Sequence, residues 1–381
     1  MPVPYFRLDL NEEEIGAVAA VLRSGWLTTG AQCAAFEQEF ATVVGKKLHA
    51  VAVNSNTSGM HLALEAANVG PGDEVIVPDL TFTATAEVVR YLGAEVVFVD
   101  VLPDTLCMDP DDVSRSITPR TKAIIPVHFG GLPANLDELK AIAQKHGAVV
   151  IEDAAHSFPT TYNGELIGNH GTFATVFSFY ANKTITTGEG GMIVTADEAV
   201  AQRCRVMRLH GIDRDAFRRF QGDSAGWQYD IVAPGFKYNL TDIAAALGRK
   251  QLSRAFAMRD SRDAIARFYL ENLSDLPLEL PADALEGGVH SWHIFPVRLA
   301  AGAPLDRKGL EGALTEAGIG YSVHYTPLHR MSYWQQRYNL SDNRFPMATS
   351  YFERCLSLPV FSAMTLEEAE EVVAVLRGAL R

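Results

Sequence analysis

Hydrophobic positions between residues 49 and 195 fall in short continuous runs of Val, Ile, Ala and Phe. Such runs are typical of strands buried on both faces, whereas half-buried strands alternate. Helical spacing fills several gaps between them, as at Asn135–His146, where Leu136, Leu139 and Ala143 share one face. Strand–helix–strand repetition predicts a mostly parallel sheet covered by helices. The predicted strands are His49–Val53, Glu74–Val77, Glu95–Val99, Lys122–Val127, Ala148–Glu152, Thr175–Phe179 and Gly191–Val194.

The pattern changes near Gly235, and a second, smaller unit follows. A long helical pattern runs with interruptions from Thr241 toward Leu276, and Thr365 begins a capping box for a final amphipathic helix. We therefore expect a large α/β domain over residues 1–245 and a C-terminal α+β domain over residues 246–381. The smaller unit is predicted to contain a strand at Trp292–Leu299, a helix at Asp306–Ala317 and a strand at Tyr321–Tyr325.

Composition narrows the class of protein. With 381 residues and 48% hydrophobic composition, the chain can bury a large core. The net charge of -13 argues against a nucleic-acid partner, because phosphate backbones demand clustered Lys and Arg. The N-terminus lacks a signal-peptide pattern, and no apolar run approaches the roughly 20 residues that span a bilayer. The 4 cysteines form no CxxC pair, which favours neither a metal site nor disulfides. We expect a cytoplasmic protein without membrane, metal or nucleic-acid partners.

Two chemical groups follow neighbouring predicted strands. Asp153 lies at the exit of one apolar strand, and Lys183 follows the next one before the glycine-rich turn Gly188–Gly191. Ligands of such sheets bind beyond the carboxyl ends of the strands. A lysine and a carboxylate placed there can hold pyridoxal 5′-phosphate (PLP), the lysine through a Schiff base and the carboxylate at the protonated ring nitrogen. Lys183 is therefore the expected catalytic residue. The alternatives are a surface lysine and a helix-capping aspartate.

The phosphate of PLP needs hydrogen-bond donors. The segment Val53–Gly59 leaves a buried strand and enters a helix, whose N-terminal N–H groups favour an anion. Further along, Phe82 could cover the face of the ring, and His156 could stack on it or bond its phenolic oxygen. Each of these residues also has an ordinary alternative as a helix cap or a core side chain. The candidate hydroxyl donors are Thr57, Ser58 and Ser178.

Together these stretches resemble the DegT/DnrJ/EryC1/StrS family of PLP-dependent sugar aminotransferases. The resemblance covers the whole chain, most distinctly up to about Gln251, and implies a fold-type I, aspartate aminotransferase-like PLP transferase. The matching segments are Ser24–Gly30, Thr57–Ser58, Gly72–Pro78, Thr81–Phe82, Glu152–His156, Ser178–Lys183, Gly188–Gly191, His210–Gly211 and Gly235–Asp242.

The resemblance assigns the same roles to Lys183, Asp153 and His156, and it places Thr57, Ser58 and Ser178 at phosphate-binding positions. The chain departs from the family pattern at Lys237, where the family commonly has an Asn that reaches the phosphate from the partner subunit. Lys237 or Asn239 is therefore expected in this role. The resemblance thus implies a homodimer with shared active sites.

The implied reaction moves an amino group from glutamate to a nucleotide-linked ketosugar, for polysaccharide, lipopolysaccharide or antibiotic sugar biosynthesis. Within the family, the chain most resembles the enzymes that aminate a UDP-linked 4-keto-pentose to UDP-4-amino-4-deoxy-arabinose.

Several polar and aromatic residues are expected to contact the substrate. For two of them, His324 and His329, an ordinary position in a surface loop is at least as good an alternative. The expected substrate contacts are Trp26, Thr28, Thr29, His324, Tyr325 and His329.

Two other functions fit the same fold. A PLP-dependent sugar dehydratase is the nearest, but such relatives typically carry His in place of the Schiff-base lysine, so Lys183 favours the aminotransferase. A non-catalytic regulatory homologue would not need the lysine–carboxylate pair, and a DNA-binding one should carry a basic recognition element. The sequence meets neither expectation of a regulatory protein.

Overall fold

A computed structural model describes residues 2–213, 229–284 and 287–381. Its strands are β1 His49–Val53, β2 Glu74–Pro78, β3 Glu95–Val99, β4 Thr121–Ile124, β5 Val149–Asp153, β6 Thr161–Tyr162, β7 Glu165–Leu166, β8 Ala174–Ser178, β9 Gly191–Thr195, β10 Leu278–Glu279, β11 Phe295–Leu299 and β12 Cys355–Leu358.

The α-helices are α1 Glu12–Ser24, α2 Ala31–Val44, α3 Asn56–Ala66, α4 Ala84–Tyr91, α5 Pro110–Ser116, α6 Leu136–His146, α7 Glu198–Met207, α8 Asp242–Asn272, α9 Arg307–Glu316, α10 Ser332–Tyr338, α11 Pro346–Arg354 and α12 Leu366–Leu380. Short 3₁₀ helices lie at Phe129–Gly131, Leu328–Arg330 and Asp342–Arg344. Within the described ranges, no helix combines the length and the apolar character needed to cross a membrane.

The predicted sheet is confirmed as a 7-stranded sheet in the order β1-β9-β8-β5-β4-β2-β3. All neighbours are parallel except β9, which runs antiparallel to both β1 and β8. The central strands are buried, as their continuous apolar runs predict. β5 and β8 are adjacent and parallel, with Asp153 in register with Val176. Asp153 and the segment after β8 therefore lie at the same edge of the sheet.

The turn from β1 into α3 is the second feature that shapes this edge. Ser55 caps α3 through a capping box in which its hydroxyl accepts from the N–H of Ser58. Gly191, the first residue of β9, fits against this turn, since a Cβ there would lie 2.6 Å from the carbonyl carbon of Ser55. The helix N-terminus is thus packed tightly against the sheet.

The second unit is built on the 3-stranded sheet β10-β11-β12, with its own apolar core. The helix α8 runs unbroken for 31 residues, so the predicted interruptions are wrong. The predicted boundary between residues 245 and 246 falls inside this helix. Val3 at the N-terminus packs in the C-terminal core and pairs with Ile319. The division of the chain at residue 245 stays a prediction.

Two C-terminal strand predictions are corrected by the structure. The strand predicted at Trp292–Leu299 begins at Phe295, because the N–H groups of His293 and Ile294 bond to the carbonyl of Gly130 instead of a neighbouring strand. The segment Tyr321–Tyr325 forms an isolated bridge between Ser322 and Ser357 and no strand. β4 also ends before Pro126, which has no N–H to donate.

Candidate active site

Lys183 lies in the turn between β8 and β9. Its N–H bonds to the carbonyl of Tyr180, and the turn closes where the N–H of Thr187 bonds back to Phe179. The ε-amine lies 3.2 Å from Nε2 of His293. Burial lowers the pKa of Lys183 to about 7, while Asp153 opposes the shift and Arg262 adds to it. A substantial neutral fraction of this amine is therefore present near neutral pH, as a nucleophile or base requires.

Asp153 ends β5 and is buried, 5% exposed. One carboxylate oxygen accepts from the hydroxyl of Thr85 at 2.8 Å, and the other accepts from the N–H of Ala155 at 3.2 Å and the amide of Asn56 at 3.4 Å. Burial raises the pKa of Asp153, and the hydrogen bonds from Thr85 and Ala155 together with the charge of Lys183 oppose the shift. A buried carboxylate of this kind is stabilised in its charged form by a cationic N–H partner.

Three buried histidines lie near the ε-amine, and His293 contacts it directly. Nδ1 of His156 accepts from the N–H of Gly130 at 3.2 Å, so Nε2 carries the proton and donates to the hydroxyl of Tyr325 at 3.0 Å. The rings of His156 and His293 lie 4.4 Å apart. Burial lowers the pKa of His156 and His293 well below the ordinary value and that of His324 to about 4, and Lys183 adds to each shift. The histidines are neutral at pH 7 and shield the amine without competing for its proton.

Two further aromatic side chains, Phe82 and Tyr325, adjoin this group. Phe82 is 59% exposed, and its ring lies 6.0 Å from that of Tyr325. His324 contacts Tyr325 at 4.9 Å between ring centroids, and its Nδ1 lies 2.9 Å from the hydroxyl of Ser357. The structure thus brings together one set of predicted residues, hereafter the lysine cluster: Lys183, Asp153, His156, Phe82, His324 and Tyr325.

The proposed phosphate donors lie at the start of α3 and the end of β8. The N–H groups of Asn56 and Thr57 occupy the first two positions of α3, where a helix has no internal partner for them. The hydroxyl of Ser58 donates to the carbonyl of Ser55 at 2.8 Å, so binding a phosphate requires it to exchange this bond. Ser178 ends β8, and its hydroxyl accepts from the N–H of Tyr180 at 3.3 Å.

Other predicted residues form a second group, hereafter the Trp26 cluster: Trp26, Thr28, Thr29 and Asn239. The amide of Asn239 donates to the hydroxyl of Thr29 at 2.7 Å, which itself donates to the carbonyl of Leu240. The indole of Trp26 donates to the carbonyl of Thr29 at 3.2 Å. Thr28 is exposed, and its carbonyl accepts from the N–H of Asp242. Lys237 lies on the same segment with an exposed side chain.

His329 is buried, so the alternative of an ordinary surface-loop position does not apply to it. It is 0% exposed, with Nδ1 2.5 Å from Asp79 and Nε2 3.1 Å from Asp342. Both ring nitrogens are therefore engaged by carboxylates in the protein. A hydrogen bond from His329 to a substrate would require the loss of one of these contacts.

Four residues of the site were missed in the sequence: His293, Asn56, Thr85 and Arg262. His293 contacts the ε-amine from a segment 110 residues away. Asn56 and Thr85 bind Asp153 from α3 and α4. No spacing signal joins such distant segments, although Asn56 stands within Val53–Gly59, the segment that the sequence singled out for the phosphate.

The geometry fits PLP. A buried carboxylate, a lysine of lowered pKa and a helix N-terminus meet at one edge of the sheet, which matches the ring nitrogen, aldehyde and phosphate of the cofactor in chemistry. Nδ1 of His293 is buried without a hydrogen-bond partner among the described residues, so the cluster retains unused polar capacity. Fold and site together define a fold-type I PLP-dependent transferase.

Comparison with known proteins gives the family. Residues 8–377 match the model of the DegT/DnrJ/EryC1/StrS aminotransferase family. The chain is 42% identical over 381 residues to the spore coat polysaccharide biosynthesis protein SpsC of Bacillus subtilis, covering 100% of this chain and 97% of that protein. The chain belongs to the DegT/DnrJ/EryC1/StrS aminotransferase family.

Solved structures agree with this membership. Spr1654 of Streptococcus pneumoniae, described as a sugar aminotransferase in its PMP-form, superimposes with a TM-score of 0.91 at 31% identity over 100% of this chain and 98% of that one. DesV of S. venezuelae, in complex with a ketimine intermediate, gives 0.89 at 34% identity over 100% and 99%. A PLP-form of Spr1654 gives 0.90 at 31% identity. The predictions of a transaminase, of its fold class and of PLP as cofactor are confirmed.

Proposed function

We propose that this aminotransferase moves an amino group from glutamate to a nucleotide-linked ketosugar that serves polysaccharide biosynthesis. The observation that carries the transamination is the partly neutral Lys183 beside Asp153 at neighbouring strand ends. The sugar acceptor is supported by the similarity to a polysaccharide biosynthesis protein and to a protein described as a sugar aminotransferase. We also propose that the enzyme is a cytoplasmic homodimer.

PLP, when bound, supplies an aldehyde that captures amines and a ring that accepts electrons from the carbon bearing the amine. Asp153 holds the proton on the ring nitrogen, and Thr85 and Asn56 fix the carboxylate in position. With the cofactor bound, Lys183 would take the proton from the amine-bearing carbon of the substrate as base and give it back as acid. The neutral histidines beside it leave this transfer to the lysine alone.

We assign the remaining cofactor contacts by chemistry. The N-terminus of α3 with Thr57, Ser58 and Ser178 binds the phosphate. Phe82 covers one face of the ring. His156 contacts the ring through its own face, because both of its nitrogens are bonded within the protein. Lys237 of the partner subunit, or Asn239 of the partner subunit, completes the phosphate site.

The sugar and its nucleotide are proposed to contact Trp26, Thr28 and Thr29 of the Trp26 cluster together with His324 and Tyr325. In this proposal His329 has a structural role, because its ring contacts both Asp79 and Asp342. Among ketosugars, the UDP-linked 4-keto-pentose is the narrower candidate. The rival dehydratase lacks support, since the chain has Lys183 where those relatives have His.

The test compares Lys183→Ala with Lys308→Ala, an exposed lysine on α9. Each purified protein is incubated with glutamate and a panel of nucleotide ketosugars that includes the UDP-4-keto-pentose. Wild type and Lys308→Ala are expected to form 2-oxoglutarate and an aminosugar, and Lys183→Ala is expected to form neither and to lack the visible absorbance band of lysine-bound PLP. Deoxygenated sugar without net 2-oxoglutarate would favour the dehydratase.

A further inference from the structure

Asp79 and His329 form a buried pair that joins two loops of the site. Asp79 follows β2 and stands three residues before Phe82, and His329 stands four residues after Tyr325. Both members of the pair are fully buried. The pair therefore connects the loop that carries Phe82 with residues 322–330, hereafter the Tyr325 segment.

His329 binds the carboxylate of Asp79 with two groups at once. Its backbone N–H donates to Oδ1 at 2.8 Å, and its ring Nδ1 lies 2.5 Å from Oδ2. The N–H of Leu328 adds a bond to the carbonyl of Asp79 at 3.0 Å. Two bonds to the two oxygens of one carboxylate fix direction as well as distance. The end of the Tyr325 segment is thus held in one orientation relative to β2.

The other side of the His329 ring is also engaged. Nε2 lies 3.1 Å from the carboxylate of Asp342 and 3.2 Å from the hydroxyl of Thr349. The ring stacks on Phe345 with 5.1 Å between centroids, and Arg330 holds Asp342 through a contact of 2.7 Å. The imidazole therefore cannot rotate without breaking contacts on both of its edges.

Asp79 is the fixed member of the pair. Its N–H continues the parallel ladder beyond β2 by donating to the carbonyl of Val99 at 2.8 Å. The Tyr325 segment belongs to none of the named strands, and at its start Ser322 pairs with Ser357 as an isolated bridge. His324 and Tyr325 lie between this bridge and His329. Loss of the pair should therefore release the Tyr325 segment and leave the sheet edge in place.

The Tyr325 segment carries side chains that face the lysine cluster. The hydroxyl of Tyr325 accepts from Nε2 of His156 at 3.0 Å, and its ring lies 6.0 Å from that of Phe82. His324 and Tyr325 are the sugar contacts of the proposed function that lie on this segment. Stability alone is a weak reason for such a pair, because apolar residues of similar volume often stabilise a fold as well as a buried ion pair does.

We propose that Asp79 and His329 are positioning residues that hold His324 and Tyr325 in place for the sugar acceptor. This inference rests on the proposed function and deepens it, because it assigns to the ketosugar half of the reaction a pair whose polar atoms are engaged within the protein. The effect of the pair is thus exerted through the Tyr325 segment and not by contact with the substrate.

The test follows the two half-reactions separately. Loss of the visible band of the PLP-loaded enzyme with L-glutamate reports the donor half, and its return with each nucleotide ketosugar of the panel reports the acceptor half. His329→Phe keeps an aromatic ring and removes both nitrogens. The ratio of the acceptor to the donor rate constant should fall about 10- to 100-fold, because misplacing a substrate contact by about 1 Å has a cost of this order.

Two further variants separate positioning from stability. His329→Asn restores a hydrogen-bond donor near the place of Nδ1 and should recover most of the ratio, although it fills the ring site less well than Phe. The matched control is Glu74→Gln, at the opposite end of β2, where a buried carboxylate accepts from Arg120 and Thr118. This control should lower the melting temperature and leave the ratio unchanged.

Asp79→Ala covers the case in which His329→Phe does not fold. It removes the same two bonds from the other side without adding bulk, and it should lower the ratio to a similar extent. If these variants slow both half-reactions equally, or leave the ratio at the wild-type value, the proposal is overturned. An equal fall of the ratio in Glu74→Gln also overturns it. If L-glutamate does not remove the band of wild type, or no ketosugar returns it, the proposed function itself fails and this assignment fails with it.

Discussion

At the scale of single residues, the chemistry depends on the pKa of one amine, that of Lys183. Burial lowers the pKa of Lys183 more than the carboxylate of Asp153 raises it, and Arg262 adds to the lowering. The free amine in solution would be almost fully protonated at neutral pH. The site therefore provides a base without a separate residue to deprotonate it.

This balance predicts a pH dependence for the capture of PLP by the cofactor-free enzyme. The neutral amine is the reactive form, so the rate constant should rise with pH and level off above a midpoint at about 7. The folded-state pKa lies below the ordinary 10.5, so the folded protein binds fewer protons than the unfolded one between these values. Its stability should therefore rise with pH across that window. Stopped-flow absorbance at several pH values measures the rate, and a midpoint near 10 contradicts the expectation.

A second residue-scale prediction concerns Asp153→Asn. The amide is nearly isosteric and can keep its contacts with Thr85 and Ala155, so PLP should still bind. Turnover should fall at least about 100-fold, because the neutral side chain no longer stabilises the proton on the ring nitrogen. Loss of the carboxylate also removes the influence that raises the pKa of Lys183, so the midpoint for PLP capture should move to lower pH. Near-normal turnover would count against the assigned role.

The residues that the sequence revealed and those it concealed differ in a physical way. Lys183 and Asp153 stand at strand ends, where the change from apolar to polar residues marks them. His293 and Arg262 reach the site because a helix and a loop of the second unit fold back on the sheet. Their positions depend on tertiary packing, which a local sequence pattern does not predict.

At the scale of elements, strands were predicted better than connections. β1 and β3 have the predicted bounds, since buried parallel strands read as continuous apolar runs between turn residues. The segment Tyr321–Tyr325 differs, since it forms an isolated bridge at Ser322 and its Tyr325 bonds to His156 in the lysine cluster. The apolar and aromatic residues of this loop therefore resemble those of a buried strand in the sequence.

The junction of β1, α3 and β9 gives a prediction at this scale. Gly191→Ala places a methyl group against the backbone of Ser55, which cannot move without shifting the N-terminus of α3. We expect a loss of about 1–3 kcal/mol in unfolding free energy and a weaker affinity for PLP. Denaturant unfolding and titration with PLP measure the two effects.

The matched control is Gly312→Ala in α9, where the added methyl group meets no atom within 4 Å. Alanine is the better helix former, so this change should stabilise the protein by about 0.5–1 kcal/mol and leave PLP affinity intact. Equal behaviour of the two variants would show that the close approach at Gly191 has no bearing on the phosphate site.

At the scale of the whole molecule, the proposal of a shared active site concerns residues at the surface of the chain. Lys237 is exposed, and Ile231 and Val232 on the same segment are 51% and 54% exposed. Exposed apolar side chains beside an unused cation are typical of a surface that a second subunit covers. A shared active site would give each of these residues a function that the isolated chain does not.

Mixing of inactive subunits tests this arrangement. Lys183→Ala is combined with Lys237→Ala or Asn239→Ala, whichever is inactive alone, under conditions that exchange subunits. In a shared site, each mixed dimer has one site with a native lysine and a native partner residue, so random pairing restores about a quarter of the wild-type sites. The control mixes Lys183→Ala with Asp153→Asn, which lie on the same side of the site, so no mixed dimer regains a native one. Recovery in the control contradicts this arrangement, because Lys183 and Asp153 of one site would then come from different subunits. No recovery in the test mixture also contradicts it, because the residue at 237 or 239 would then act within its own subunit.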